Sequence, residues 1–204
     1  MTMESVRYAC AYVGEGSGGI PWENIQAISL REVVTGERPR LRTDVKACWT
    51  SDALHIRFEC EDDFIAAEMT RRDDPLYDED VVEVFIDEEG SGRAYMEFEI
   101  NPLNTIFDAR IVNDTKGSIQ VDTAWDAEGL ATAVTREGET YKYDIALPLS
   151  NFEKRPEAGT TWRWNVYRID RDPQGERHFW AWSPTGAVDF HRSHRFGTLV
   201  FVAP

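Results

Sequence analysis

Hydrophobic and polar residues alternate along much of this chain, the period-two pattern of strands that bury one face. The clearest stretch runs from Pro75 to Asn101. Val82, Val84 and Ile86 alternate with Glu83, Phe85 and Asp87, and Met96, Phe98 and Ile100 alternate with Glu97, Glu99 and Asn101. Successive side chains on a strand point to opposite faces, so each apolar row is expected inside while Glu83, Glu97, Glu99 and Asn101 share the other surface. Leu54, Ile56, Phe58 and Cys60 alternate with His55, Arg57 and Glu59, and this strand is predicted to form a hairpin with Val45–Trp49 around Ser51-Asp52. Further strands are predicted over Val6–Val13, Thr105–Val112, Ala131–Arg136, Thr140–Leu147, Trp162–Asp170, Phe179–Trp182 and Thr198–Val202. Leu149–Phe152 reads as one helical turn, and 73–80 as an acidic loop broken by Pro75. Many short strands, almost no helical periodicity, no repeat and no linker predict a single all-β domain over residues 1–204, folded as an antiparallel β-sandwich.

Composition narrows the partners. An apolar fraction of 42% supplies a real core. A formal charge of −15 repels phosphate, so nucleic acid and anionic membranes are poor partners. No apolar run approaches the ~20 residues needed to span a bilayer. The first 16 residues lack a basic segment followed by an apolar core, so the chain as given reads as having no signal peptide and as cytoplasmic. A domain cut from a larger secreted protein, and therefore extracellular, would read the same way. Cys10, Cys48 and Cys60 are odd in number and irregularly spaced, which is no disulfide framework; Cys48 and Cys60 fall in strands and read as core. His191 and His194 stand in HRSH without nearby cysteines and make no zinc motif. Ser150 and Ser183 lack a nucleophile elbow, and GEGSGG precedes no helix and reads as a turn.

The order of motifs carries more. Leu76-Tyr77-Asp78-Glu79-Asp80 leads into Val82-Glu83-Val84-Phe85-Ile86-Asp87, followed by Tyr95-Met96-Glu97-Phe98-Glu99-Ile100-Asn101, then by Trp180-Ala181-Trp182-Ser183, and finally by Arg195-Phe196-Gly197-Thr198-Leu199. This series, from about Val45 to Phe201, resembles the family 9 carbohydrate-binding modules and their DOMON-like relatives. The resemblance implies a jelly-roll β-sandwich that binds a mono- or oligosaccharide without catalysis. It implies a sugar ring stacked between Tyr77 and Trp182, with hydroxyls held by Glu83, Glu97, Glu99 and Asn101. The sequence departs from the family at two positions: Tyr77 stands where Trp is usual, and Glu99 where a sugar-binding member carries Arg. Calcium is also implied, with Asp73, Asp74, Asp78 and Asp80 as candidate ligands; no other cofactor is.

The same residues have plainer readings. Trp162, Trp164 and Trp180 read as core, while the turn after Trp182 brings its ring near a loop. Carboxylates facing one another across strands destabilise a sheet unless a cation, a ligand or an arginine offsets them. Arg110, sharing a strand face with Asp108, and Arg168 are the arginines expected to do so. Two other functions compete. One is an interaction module with a decayed sugar site. The other is a glycoside hydrolase or lyase using Glu83, Glu97 and Glu99, against which an open sheet face is expected to leave carboxyl pKa values unraised. A haem site, as in some DOMON-like relatives, would have to draw on Met69, Met96 and His55.

Overall fold

The computed structural model describes residues 6–14 and 19–203, so most of the GEGSGG turn lies outside the described residues. In chain order the strands are β1 (Arg7–Tyr12), β2 (Ala27–Ser29), β3 (Arg31–Glu32), β4 (Thr43–Trp49), β5 (Ala53–Glu61), β6 (Val81–Asp87), β7 (Ala94–Ile100), β8 (Ile106–Asn113), β9 (Ile119–Asp122), β10 (Ala131–Glu137), β11 (Thr140–Pro148), β12 (Thr161–Arg171), β13 (Arg177–Ala181) and β14 (Gly197–Val202). Single 3-10 turns stand at Leu76–Asp78 and Leu149–Asn151, among others. The three strands missed in the sequence, β2, β3 and β9, are short, and β9 is exposed at every position, so none carries a burial pattern to read.

Hydrogen bonding follows one curled path, β10-β11-β5-β4-β1-β14-β12-β6-β7-β8-β9, with β13 on β12. The two ends of the path fold into facing layers, giving the expected all-β sandwich. Every pairing is antiparallel except those of β1, which runs parallel to both β14 and β4 and joins the layers. The apolar rows meet between the layers. Leu54, Ile56 and Phe58 of β5 pack in one cluster with Val82, Val84 and Ile86 of β6 and Met96, Phe98 and Ile100 of β7. Cys10, Cys48 and Cys60 are buried free thiols, and burial raises all three pKa values.

A second apolar cluster lies on the outer face of β6, β7, β8 and β12. It contains Phe85, Tyr95, Phe107, Tyr167 and Ile169, together with Phe190 and Phe196 from the loop that precedes β14. This layer therefore has a packed surface on both sides. The consequence for the site is direct: the polar row of β6 and β7 is not a solvated face but the floor of a partly covered one.

A carboxyl-floored groove as the candidate functional site

Register brings the three glutamates together. Glu83 of β6 lies opposite Glu99 of β7, and Phe85 lies opposite Glu97. Carboxylate oxygens of Glu83, Glu97 and Glu99 all lie within 4.8 Å of one another. The residues are only 2%, 5% and 0% exposed. Oε1 of Glu83 and both oxygens of Glu99 have no donor in full hydrogen-bonding geometry, and Glu99 lies against the Glu97 carboxyl and the Tyr77 amide. Three carboxyls this close and this dry do not all ionise. Burial, and then the neighbouring carboxyls, push Glu83 and Glu99 well above the ordinary range; burial pushes Glu97 up to about 7. The expectation that an open face leaves these acids unperturbed is corrected, because the face is covered by Phe190, Phe196 and their loop.

Tyr77 stands over this floor. Its turn is anchored by buried Leu76, and the Arg177 guanidinium donates to the Tyr77 carbonyl. The residue is 47% exposed, which leaves an aromatic face free. Two adjoining hollows of about 440 and 360 Å³ share Tyr77, Glu97 and His191 in their walls. The larger adds Asp73, Glu99, Phe107 and Ile119; the other adds Glu83, Arg177, Phe179 and Phe190. The combined space is of the size that takes small ligands. Phe190 is stacked on Tyr167 at 4.1 Å between centroids, and Tyr167 donates its hydroxyl to the Phe190 carbonyl at 2.9 Å. His191 Nδ1 lies 2.8 Å from the Tyr95 hydroxyl, and burial holds its pKa below the usual imidazole value. The wall facing Tyr77 is thus fixed by packing and hydrogen bonds.

Other expected members are elsewhere. Trp182 is 8% exposed and belongs to the cluster between the layers, 5.6 Å from Trp164. Its ring presses on Gly197, where an added Cβ would stand 2.3 Å from Cζ3. The two-ring clamp of Tyr77 and Trp182 therefore does not form, because Trp182 points with Trp180 into the sandwich. Arg110 is also on the wrong side. β8 pairs so that Ala109 faces Glu97 while Arg110 faces Met96, and its guanidinium lies over Trp125. Arg168 likewise points between the layers, bonded to Asp62 and Asp170, so neither arginine offsets the glutamates. Asn101 lies beside the groove, but its amide donates to the Met69 carbonyl and its oxygen accepts from the Leu103 and Thr105 amides. It builds the loop and has no free donor pattern for a hydroxyl.

The four loop aspartates do not converge. Only Asp73 falls in a carboxylate group, with Asp108 and Asp126, and there Arg72 bridges the other two. Asp74 accepts from Arg71, and both oxygens of Asp80 accept backbone amides, from Ala66 and Arg171. Met96 lies in the sandwich core, Met69 packs against the outer cluster, and His55 sits on β5 of the opposite layer, so the haem partners do not meet. The residues missed in the sequence are Phe190, His191, Phe179 and Arg177. One signal was available: Phe190 is the only Phe, Tyr or Trp between Trp182 and Phe196, in a loop long enough to fold back over a sheet.

The comparisons agree with this architecture. Residues 15–203 match the model of the family described as carbohydrate family 9 binding domain-like. The chain belongs to this family. It is 25% identical over 199 residues to a protein of Arthroderma benhamiae named "Extracellular protein", covering 89% of this chain and 87% of that one. A family 9 carbohydrate-binding module from Caldicellulosiruptor kristjanssonii, solved in complex with glucose, superposes with a TM-score of 0.70 at 16% identity, covering 97% of this chain and 96% of that chain. A family 9 module of the same organism in complex with cellotriose gives a TM-score of 0.70 at 17% identity, covering 97% and 94%. At these identities the solved structures establish the sandwich fold.

Proposed function

We propose that this member binds a mono- or oligosaccharide non-catalytically in the groove beneath Tyr77. The observation that carries the reading is an exposed ring set over unpartnered carboxyl oxygens: Tyr77 above, Glu83 and Glu99 below. A pyranose offers C–H groups to a ring face and hydroxyls at its edge, and the unpartnered oxygens accept those hydroxyls. A carboxyl that keeps its proton can also donate, which restores a donor where Glu99 replaces Arg. Phe190 and His191 close the far side in place of Trp182. The complexes of related modules with glucose and cellotriose support a saccharide as the ligand class. The name of the fungal relative supports an extracellular setting over a cytoplasmic one.

The test is calorimetric titration with glucose, cellobiose and cellotriose. Millimolar or tighter binding that is lost in Tyr77→Ala is expected. No binding by any saccharide would leave the interaction-module reading in its place.

The hydrolase reading has one observation in its favour, the raised pKa values of the three glutamates. General-acid chemistry on a glycoside also needs a second carboxylate that stays ionised, about 5–5.5 Å or about 6.5–9.5 Å from the acid. Here all three acids shift upward together within 4.8 Å, and none is held in its charged form by a bonded cation. Aryl-glycoside turnover that disappears in Glu97→Gln would favour the hydrolase.

A further inference from the structure

Resting on the saccharide reading, we propose that the groove selects amino sugars, taking a protonated sugar amine onto Glu83, Glu97 and Glu99. A site for a neutral sugar needs donors and acceptors in balance, because each hydroxyl is both. A cation that displaces the protons these acids hold turns the floor into an accepting one, because an ionised carboxylate only accepts. Three buried oxygens lack a donor in full hydrogen-bonding geometry, Oε1 of Glu83 and Oε1 and Oε2 of Glu99; the Glu99 carboxyl has the Glu97 carboxyl and the Tyr77 amide close by. An ammonium group brings three N–H donors and one positive charge, and nothing else on a common sugar supplies both.

Among the described residues the protein supplies little of that charge: Arg177 shares the wall and attracts Glu83, with its Nε unpartnered, but makes no ion pair with a glutamate. Arg177 donates to the Tyr77 carbonyl instead and lies over Phe179, 5.1 Å from the ring centroid. Arg110 and Arg168 face the other side of the layer. His191 is biased toward its neutral form by burial. Asp73 adds a further carboxyl to the walls, as does Asp189, which pairs with Arg192 at 3.5 Å. The whole chain, at −15, draws cationic ligands toward it.

A bare divalent ion is the competing occupant of three carboxyls. Calcium takes six to eight oxygens. Beyond the glutamates, much of the lining is ring and hydrocarbon: Tyr77, Phe107, Ile119, Phe179 and Phe190. That surface suits the carbon skeleton attached to an ammonium. It also gives the ammonium's own sugar ring a stacking partner in Tyr77, where a cation gains from the aromatic face as well.

The experiment is a set of calorimetric titrations of the intact chain near neutral pH. The probes are glucosamine, glucose, N-acetylglucosamine and ethanolamine, each repeated with calcium chloride. Glucosamine should bind at least about tenfold tighter than glucose, the scale of a hydrogen bond to a charged group. N-acetylation should remove the advantage, since it removes the charge. Glu99→Gln and Glu83→Gln should bring glucosamine down to the level of glucose. Should either variant fail to fold, the wild-type ligand series decides alone. If glucose binds and glucosamine binds no better, this proposal falls and the saccharide reading stands. If no sugar binds at all, both fall. Ethanolamine binding as tightly as glucosamine, or calcium saturating the site and abolishing the preference, would also overturn it.

Discussion

Tyr77 and Trp182 are both aromatic, yet they do opposite work. Tyr77 is half-exposed on a turn, so Tyr77→Ala should leave the melting temperature nearly unchanged while weakening saccharide binding about tenfold or more. Trp182 fills the sandwich, so Trp182→Ala should cost about 3–5 kcal/mol of stability, seen as a lower urea midpoint. The burial of Trp182 was legible in the sequence. It lies two residues from Trp180 on an extended run, so the two rings share a direction, and Trp180 already read as core. The family analogy pointed the other way, and packing against Gly197 settled it. The glutamates make a second prediction at this scale. A buried acid with a raised folded pKa makes the folded chain hold protons that the unfolded chain has released. For Glu97, with an ordinary value of 4.5 and a folded value of about 7, stability is greatest below 4.5 and is lost as pH rises through 7. The ligand-free protein should therefore melt lower at pH 8 than at pH 5, and Glu97→Gln or Glu99→Gln should flatten that slope. An unchanged slope in both variants would show the trio to be unperturbed.

At the scale of elements, the alternation in β6 and β7 placed every side chain on the correct face. β8 shows where such reading stops. Phe107, Ala109 and Ile111 alternate with Asp108 and Arg110, and Arg110 was expected to join the glutamates, which would have turned the apolar row toward the sandwich. It faces outward instead, because register against β7 sets Ala109 opposite Glu97 and because the outer face has an apolar cluster of its own. A one-residue choice of register is not written in a single strand. Arg110→Ala should accordingly leave saccharide affinity unchanged. Asn101 closes β7 into the next loop with one donated and two accepted hydrogen bonds. Asn101→Ala should destabilise by about 1–3 kcal/mol in urea, because the Leu103 and Thr105 amides and the Met69 carbonyl lose a partner.

For the whole molecule, the sandwich is held by its shared core and by one buried ionic knot between the layers. Arg168 on β12 donates to Thr43 Oγ1 at 3.1 Å, to the Glu61 carbonyl at 2.7 Å, to Asp62 at 2.8 Å and to Asp170 at 2.5 Å. Arg40 reaches the same Asp170 at 2.9 Å. Removing the guanidinium in Arg168→Leu would leave Asp62 and Asp170 short of a buried partner, and a loss of about 3–5 kcal/mol in equilibrium unfolding is expected. The overall fold was legible because short alternating strands leave few other solutions. The far wall of the groove was not, because Phe190 and His191 sit in a loop without periodicity and reach the sheet only through tertiary packing on Tyr167 and Tyr95. The claim on which the functional account turns is that a saccharide occupies the space between that wall and Tyr77. Amide NMR of the labelled chain titrated with a cello-oligosaccharide measures this directly. Saturable shifts centred on Tyr77, Glu97, Glu99 and His191 are the expected result; shifts confined to another surface, or none at millimolar sugar, would contradict it.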